Sequence, residues 1–316
     1  KSSGRMALHY GLIFAANGIS LPFAGLWFKA QGLSGAEIGV LMAAPMLARV
    51  LTGPGIAIWA DGFRHRRTPI ALLAVVATLA YAGTALASGF AAWAVLWFMA
   101  TTASGAIIPL SDVLTLRLAR REGFGFSFPR GCGSAAFVGA NILMGAILTR
   151  LPVDAILICV VAIGVLTSLV AFRFLPPEPV LEGAASTGWS RFADMGRLLG
   201  NRTFVLALLA VGLIQATHGF YYAFSAISWK AQGISESLTG LLWAFSVVVE
   251  IVFMWVVEPW RRRRGIGAWT LLVVGGVAGL IRWSALAMAP GLVWLWPLQA
   301  LHSLTFAATY LAGVQI

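Results

Sequence analysis

The spacing of the charged residues constrains this chain more than any other feature. They sit in short clusters separated by apolar stretches of roughly twenty residues, the length that crosses ~30 Å of hydrocarbon as a helix. Apolar residues make up 59% of the 316 positions and charged residues 10%, whereas a soluble domain carries roughly a quarter charged. A water-facing surface cannot be assembled from that composition. The apolar runs instead predict a polytopic all-α membrane protein with ten spans, at roughly 7–28, 36–60, 68–88, 91–116, 130–149, 153–175, 203–228, 237–258, 268–288 and 292–314.

A net charge of +11 raises the question of nucleic acid, and the placement of the basic residues answers it. Of 22 Lys and Arg, 16 fall in one alternating set of loops, among them the run Arg261 to Arg264. Only Lys29, Arg150 and Lys230 fall in the other set, and Arg49, Arg130 and Arg282 lie within spans. Such asymmetry is the positive-inside pattern of a bilayer protein. It predicts a cytoplasmic N-terminus and a cytoplasmic 176–202 segment, in a bacterial inner membrane, with no nucleic-acid partner. Cys132 and Cys159 both fall inside spans, so neither a disulfide framework nor a metal site is expected, and nothing calls for a cofactor.

The Pro/Gly/Ser-rich stretch 176–202 divides the chain into 1–175, with six spans, and 203–316, with four. An internal repeat supports the division. "KAQGLSGAEIGVL" at 29–41 returns as "KAQGISESLTGLL" at 230–242, with seven of thirteen positions identical at a constant offset of 201. Each copy opens the second helix of its half. Parallel six-helix repeats are the architecture of the major facilitator superfamily. On that reading, helices 11 and 12 are absent from a chain that starts at Lys1 and stops at Ile316 within an apolar stretch, so a portion of a longer gene product is expected. The turn "GIAIWADGFRHRR" at 55–67 resembles the superfamily's loop motif through Asp61, Arg64, Arg66 and Arg67, although Ala57 and Arg64 stand where the motif has glycine. An aspartate at a helix end beside several arginines can form a charge-assisted lock released when the carrier opens.

Ionisable groups inside a span cost at least a few kcal/mol and are commonly retained for function. Here they are Arg49, Asp112, Arg130, His218, Glu250, Arg282 and His302. Their order resembles that of the lactose permease-like proton symporters, and most of all the 3-phenylpropionate transporter group. Asp112, Arg130 in "FSFPRGCGS", Glu250 in "VVVEIV", Arg282 in "LIRW" and His302 in "LHSLTF" match the permease group's charged positions helix by helix. Thr305 and Phe128 depart from it, standing where that group carries a glutamate and a second arginine. Helix 7, "QATHGFYYAFSAISW", has aromatics and His218 in place of aspartates, as in the phenylpropionate group.

The resemblance implies secondary transport of a small organic solute with protons, most consistent with an aromatic carboxylate such as 3-phenylpropionate. A sugar or nucleoside symporter is the alternative, and a non-transporting sensor or inactive homologue the alternative of another class. A guanidinium stays charged when desolvated and can hold a carboxylate through two parallel bonds, so Arg130, neutralised by Asp112 when empty, is the expected substrate anchor. Phe220, Tyr221, Trp27 and Trp283 are the expected ring contacts. Glu250, Arg282 and His302 are the expected proton-coupling group, the carboxylate responding to approach or withdrawal of the guanidinium. Arg49 is read as a residue that snorkels, and His218 as a packing histidine. No nucleophile elbow, His/Glu metal motif or phosphate-binding glycine loop is present, which argues against an enzyme. A channel would want rings of like charge. The carrier is expected to work as a monomer.

Overall fold

The computed structural model describes residues 2–179 and 199–316. Lipid offers no partner for backbone N–H and C=O, so the apolar runs close their hydrogen bonds within helices. Nine helices among the described residues are long and apolar enough to cross a membrane. They are α1 (Ser2–Ala30), α2 (Gly35–Asp61), α3 (Arg67–Leu86), α4 (Phe90–Glu122), α5 (Ser127–Leu148), α6 (Ala155–Arg173), α7 (Arg202–Ala231), α8 (Glu236–Arg263) and α9 (Ala268–Ala287). The tenth expected span is helical too, but α10 is assembled from Leu292–Ala300, a π-helical stretch Ser303–Ala308 and Thr309–Gln315. A second π-helical stretch, Phe253–Val257, interrupts α8. Most of the linker expected at 176–202 lies outside the described residues.

The repeat folds as one local device used twice. Gly32 and Gly233 adopt positive φ (89° and 80°), a conformation costly for any residue with a Cβ, and turn the chain out of α1 and α7. Ser34 and Ser235 then cap α2 and α8, accepting from Glu37 N and Leu238 N, each at 3.3 Å. One expectation needs correction. Arg117, Arg120 and Arg121, read as loop residues, lie on α4, which at 33 residues is about 50 Å long and outruns the hydrocarbon. Apolarity marks where lipid contact stops, and a helix need not stop there.

Helix α1 packs on α4, α5, α6 and α7, α3 packs on α4 and α6, and α10 packs on α8 and α9. The first six helices meet the later ones chiefly through α1 against α7, α5 against α8 and α2 against α7. Two of these contacts depend on missing side chains. A Cβ at Gly25 would meet the Ala223 carbonyl oxygen, and one at Gly240 would meet that of Asn141. Both approaches lie at the bundle end that carries the Lys29, Arg150 and Lys230 loops. That end is closed. Among the described residues no packing of comparable extent joins the two groups of helices at the other end, where Arg130 and Asp112 keep 34% and 32% of their side-chain surface exposed.

Candidate functional site

The second group of helices holds a buried polar network centred on Arg282, the bulkiest fully buried side chain. Its guanidinium comes off α9 and is met from α10: Nη1 donates to His302 Nδ1 (3.1 Å) and Thr305 Oγ1 (3.2 Å), and Nη2 donates to Gln299 Oε1 (2.9 Å). Tyr221 and Trp283 lie against the cation, with ring centroids 4.7 and 4.5 Å from Cζ. Gln299 in turn donates to the Tyr221 hydroxyl at 2.6 Å. A π-helical stretch, Ser303–Ala308, follows His302 and carries Thr305; such bulges are frequent at functional sites.

This arrangement fixes the histidine tautomers. An arginine only donates, so Nδ1 of His302 accepts and its proton sits on Nε2. That atom faces Glu250 Oε2 at 3.9 Å. His218 Nδ1 lies 3.2 Å from the Ile214 carbonyl and must donate to it, which leaves His218 Nε2 as an acceptor facing Thr305 Oγ1 at 3.0 Å; that hydroxyl also lies 3.2 Å from the His302 carbonyl. Hydrogen bonds therefore link His302, Arg282, Thr305 and His218, with Glu250 next in line at 3.9 Å from His302. Among the described residues Glu250 and Arg282 form no direct pair, and His302 stands between them. Thr305 ties Arg282 to His218, and the sequence pattern gave it no such role.

The first group of helices holds a looser cluster. Arg130 Nε lies 3.8 Å from Asp112 Oδ1, and Tyr10 donates to the same oxygen at 2.5 Å. Thr115 donates to the Tyr10 hydroxyl at 3.1 Å. The Arg130 guanidinium lies over Phe14 at 4.2 Å, with Tyr10 at 5.9 Å. Next to them His9, fully buried, meets Ser111 Oγ at 3.0 Å.

The expected ring contacts are corrected by the structure. Trp27 is core: 3% exposed, edge-on to Phe28 and Trp93, its indole donates to Asp154 at 2.9 Å, away from every charged site residue. Phe220 is 70% exposed and lines an aromatic groove between α7 and α9 with Tyr221 and Trp283. Of these rings, Tyr221 and Trp283 lie against Arg282, whereas Phe220 packs on Phe224. The rings at Arg130 are Phe14 and Tyr10, which sequence reading did not nominate, because aromatics on α1 carry no mark of which neighbour they face.

Of the loop motif, Asp61 pairs with Arg66 at 3.5 Å, and Arg66 N donates to the Glu178 carbonyl at 2.9 Å. Arg67 Nη1 donates to the Leu175 carbonyl at 3.2 Å, and Arg121 on α4 pairs with the Glu178 carboxylate. These contacts fasten the α2–α3 turn to the exit of α6. Arg64 is exposed and has no ion pair among the described residues. A comparable knot closes the later helices: Glu258 pairs with Arg261 (2.7 Å) and Arg262 (2.6 Å), and Arg261 also reaches Gln315 at 2.8 Å. Arg261, read as part of a topology anchor, is buried at 5% exposure.

The profile of the MFS_1 like family matches residues 4–316. The chain belongs to this family of major facilitator proteins. It is 31% identical over 319 residues to the probable 3-phenylpropionic acid transporter of Escherichia coli (strain K12), covering 100% of this chain and 82% of that protein. It is 28% identical to the maltose permease of Geobacillus stearothermophilus, covering 90% of this chain and 71% of the permease. Its fold resembles that of a mutant form of the nucleoside transporter NupG, with a TM-score of 0.86 over 99% of this chain and 82% of that one at 19% identity. This family member is a multi-pass membrane protein and a secondary transporter, not an enzyme.

Proposed function

We propose that this facilitator imports a small aromatic carboxylate, such as 3-phenylpropionate, together with a proton. The observation that carries the reading is His302, whose Nε2 proton faces Glu250 while its Nδ1 is held by Arg282. A carboxylate in that position can take up a proton when its surroundings are dry and lose it when water and the cation gain access. Its counterpart in the earlier helices is Arg130, a cation with an anion at one side and a ring beneath it, which matches the two ends of an arylalkanoate. Asp112 neutralises Arg130 in the empty carrier, and the incoming carboxylate displaces it. One anion and one proton make a neutral load. The relative of 31% identity carries a phenylpropionic acid name, which favours the same class.

In this reading residues 1–175 and 203–316 are two bundles that rock about the central site, joined by 176–202. The closed end, with its three basic residues, faces out, and the basic end with the N-terminus faces the cytoplasm of a bacterial inner membrane, so the conformation is inward-open. The unit is a monomer, with Asp61, Arg66 and Arg67 steadying the cytoplasmic face and Arg64 exposed beside them.

The test is uptake of labelled 3-phenylpropionate into proteoliposomes, with and without an inside-alkaline gradient, and with maltose and a nucleoside as competitors. Accumulation above equilibrium only with the gradient is expected. Equal uptake without it sinks proton coupling, and displacement by maltose or the nucleoside sinks the carboxylate assignment.

A further inference from the structure

Arg49 stands in the middle of α2, 14 residues from its start and 12 from Asp61, or about 18 Å of helix from either end at least. No arginine side chain snorkels that far. Three arginines lie within the spans, and they differ in company. Arg130 has Asp112, and Arg282 has His302, Thr305 and Gln299. Arg49 has no ion pair and no side-chain hydrogen bond among the described residues. Its guanidinium instead lies against the bare backbone of Gly105 on α4, where an added Cβ would come within 2.6 Å of Nη2.

The cation borders a small cavity of about 100 Å³ between α1, α2, α3, α4 and α7. Asn17, Ser20, Ser104 and Tyr222 supply polar groups to its wall, and Leu21 and Trp97 supply apolar surface. Tyr222 belongs to the later helices, so the cavity spans both groups. The repeat gives a second, independent pointer. The offset of 201 that relates 29–41 to 230–242 also relates Arg49 to Glu250. The two parallel copies of this helix therefore present a cation and a carboxylate at the same depth.

We infer that Arg49 is a carboxylate-binding residue of the solute pathway, holding the anion in this cavity while Trp97 and Leu21 take the apolar end. An unpaired cation at mid-membrane costs several kcal/mol, and among the described residues no carboxylate or hydrogen-bonding side chain offsets that cost, so its natural partner is the cargo. This deepens the aromatic-carboxylate reading and rests on it. Arg130, nearer the open end, and Arg49, deeper, are then two stations for one anion.

The experiment is equilibrium binding of 3-phenylpropionate and of its uncharged amide, 3-phenylpropanamide, to the purified chain in nanodiscs. Arg49→Gln is expected to weaken binding of the acid by about tenfold or more, about 1.4 kcal/mol, and to leave the amide nearly unchanged. Gly105→Val, which keeps the arginine but fills the space its guanidinium uses, is expected to show the same selective loss, and Arg49→Lys a smaller one. Unchanged acid binding in Arg49→Gln overturns the inference, as does equal loss of acid and amide, which would mark a structural role. Wild-type protein that binds neither compound overturns the aromatic-carboxylate reading as well, which separates the two failures.

Discussion

The two charged clusters are built to opposite specifications. Around Arg282 every partner is neutral, the guanidinium is fully enclosed, and its bonds run to a histidine, a threonine and a glutamine on one helix. Around Arg130 the partner is a carboxylate, the contact is loose at 3.8 Å, and a third of each side chain remains exposed. A cation enclosed among neutral acceptors is fixed in place. One that shares a loose, partly wetted ion pair can exchange its anion. On the proposed function, that difference suits the later helices to holding charge for proton traffic and the earlier ones to exchanging it for cargo.

The sharpest way to break that division is Glu250→Gln. If proton traffic runs through the later cluster, uphill accumulation of 3-phenylpropionate should vanish while counterflow down a gradient survives, because the neutral amide imitates a permanently protonated acid. Vesicle uptake with and without a pH gradient reads both quantities. Retained uphill transport would place the proton elsewhere and undo the comparison.

Arg282→Met tests whether the enclosed cluster is also a structural one. It would leave His302 Nδ1, Gln299 Oε1 and Thr305 Oγ1 buried without a donor, each loss costing ~1–3 kcal/mol. A large drop in thermal midpoint is therefore expected together with loss of transport. A stable, active variant would mean that neutral partners suffice without the cation.

Some of this was legible in the sequence, and the reasons it stopped where it did are physical. Apolar length marks lipid contact, so nine expected spans coincide with helical spans to within a few residues at most ends. The repeat correctly marked where each half opens its second helix, although the Gly32 and Gly233 turns and the serine caps that do this were found only in the structure. The identity of the intramembrane charges was equally plain, because polarity in an apolar run stands out. Gln299 gave the same signal and went unread. What periodicity could not supply was facing. The placing of His302 between Arg282 and Glu250 depends on how three separate helices turn toward one another, which spacing along any one of them does not record. Nor can a sequence distinguish an aromatic at a site from one in the core, which is why Trp27 misled and Phe14 went unnoticed.

Closure of the end that carries the Lys29, Arg150 and Lys230 loops sharpens the comparison from another side, because on the proposed function both clusters must see water alternately. Gly240→Val would drive a side chain into the Asn141 carbonyl and hold α5 and α8 apart. Net uptake should fall several-fold, and alkylation of a reporter introduced by Ser237→Cys should speed up as that end opens. An unchanged alkylation rate would show that the closed end does not depend on this contact.

Asp112→Asn is the mildest change and the most discriminating. The amide keeps an oxygen for the Tyr10 hydroxyl and removes only the anion that neutralises Arg130, and a partly exposed ion pair of this kind contributes ~1 kcal/mol or less. The thermal midpoint should therefore hardly move, in contrast to Arg282→Met. Without its internal competitor Arg130 should bind the cargo carboxylate more tightly, so KM falls a few-fold, and release slows, so the maximal rate falls with it. A shift of both in that direction, at constant stability, is what an exchange site predicts. A loss of stability as large as that of Arg282→Met would mean that the two clusters are fixed charges of one kind, and that cargo recognition lies wholly with Arg49.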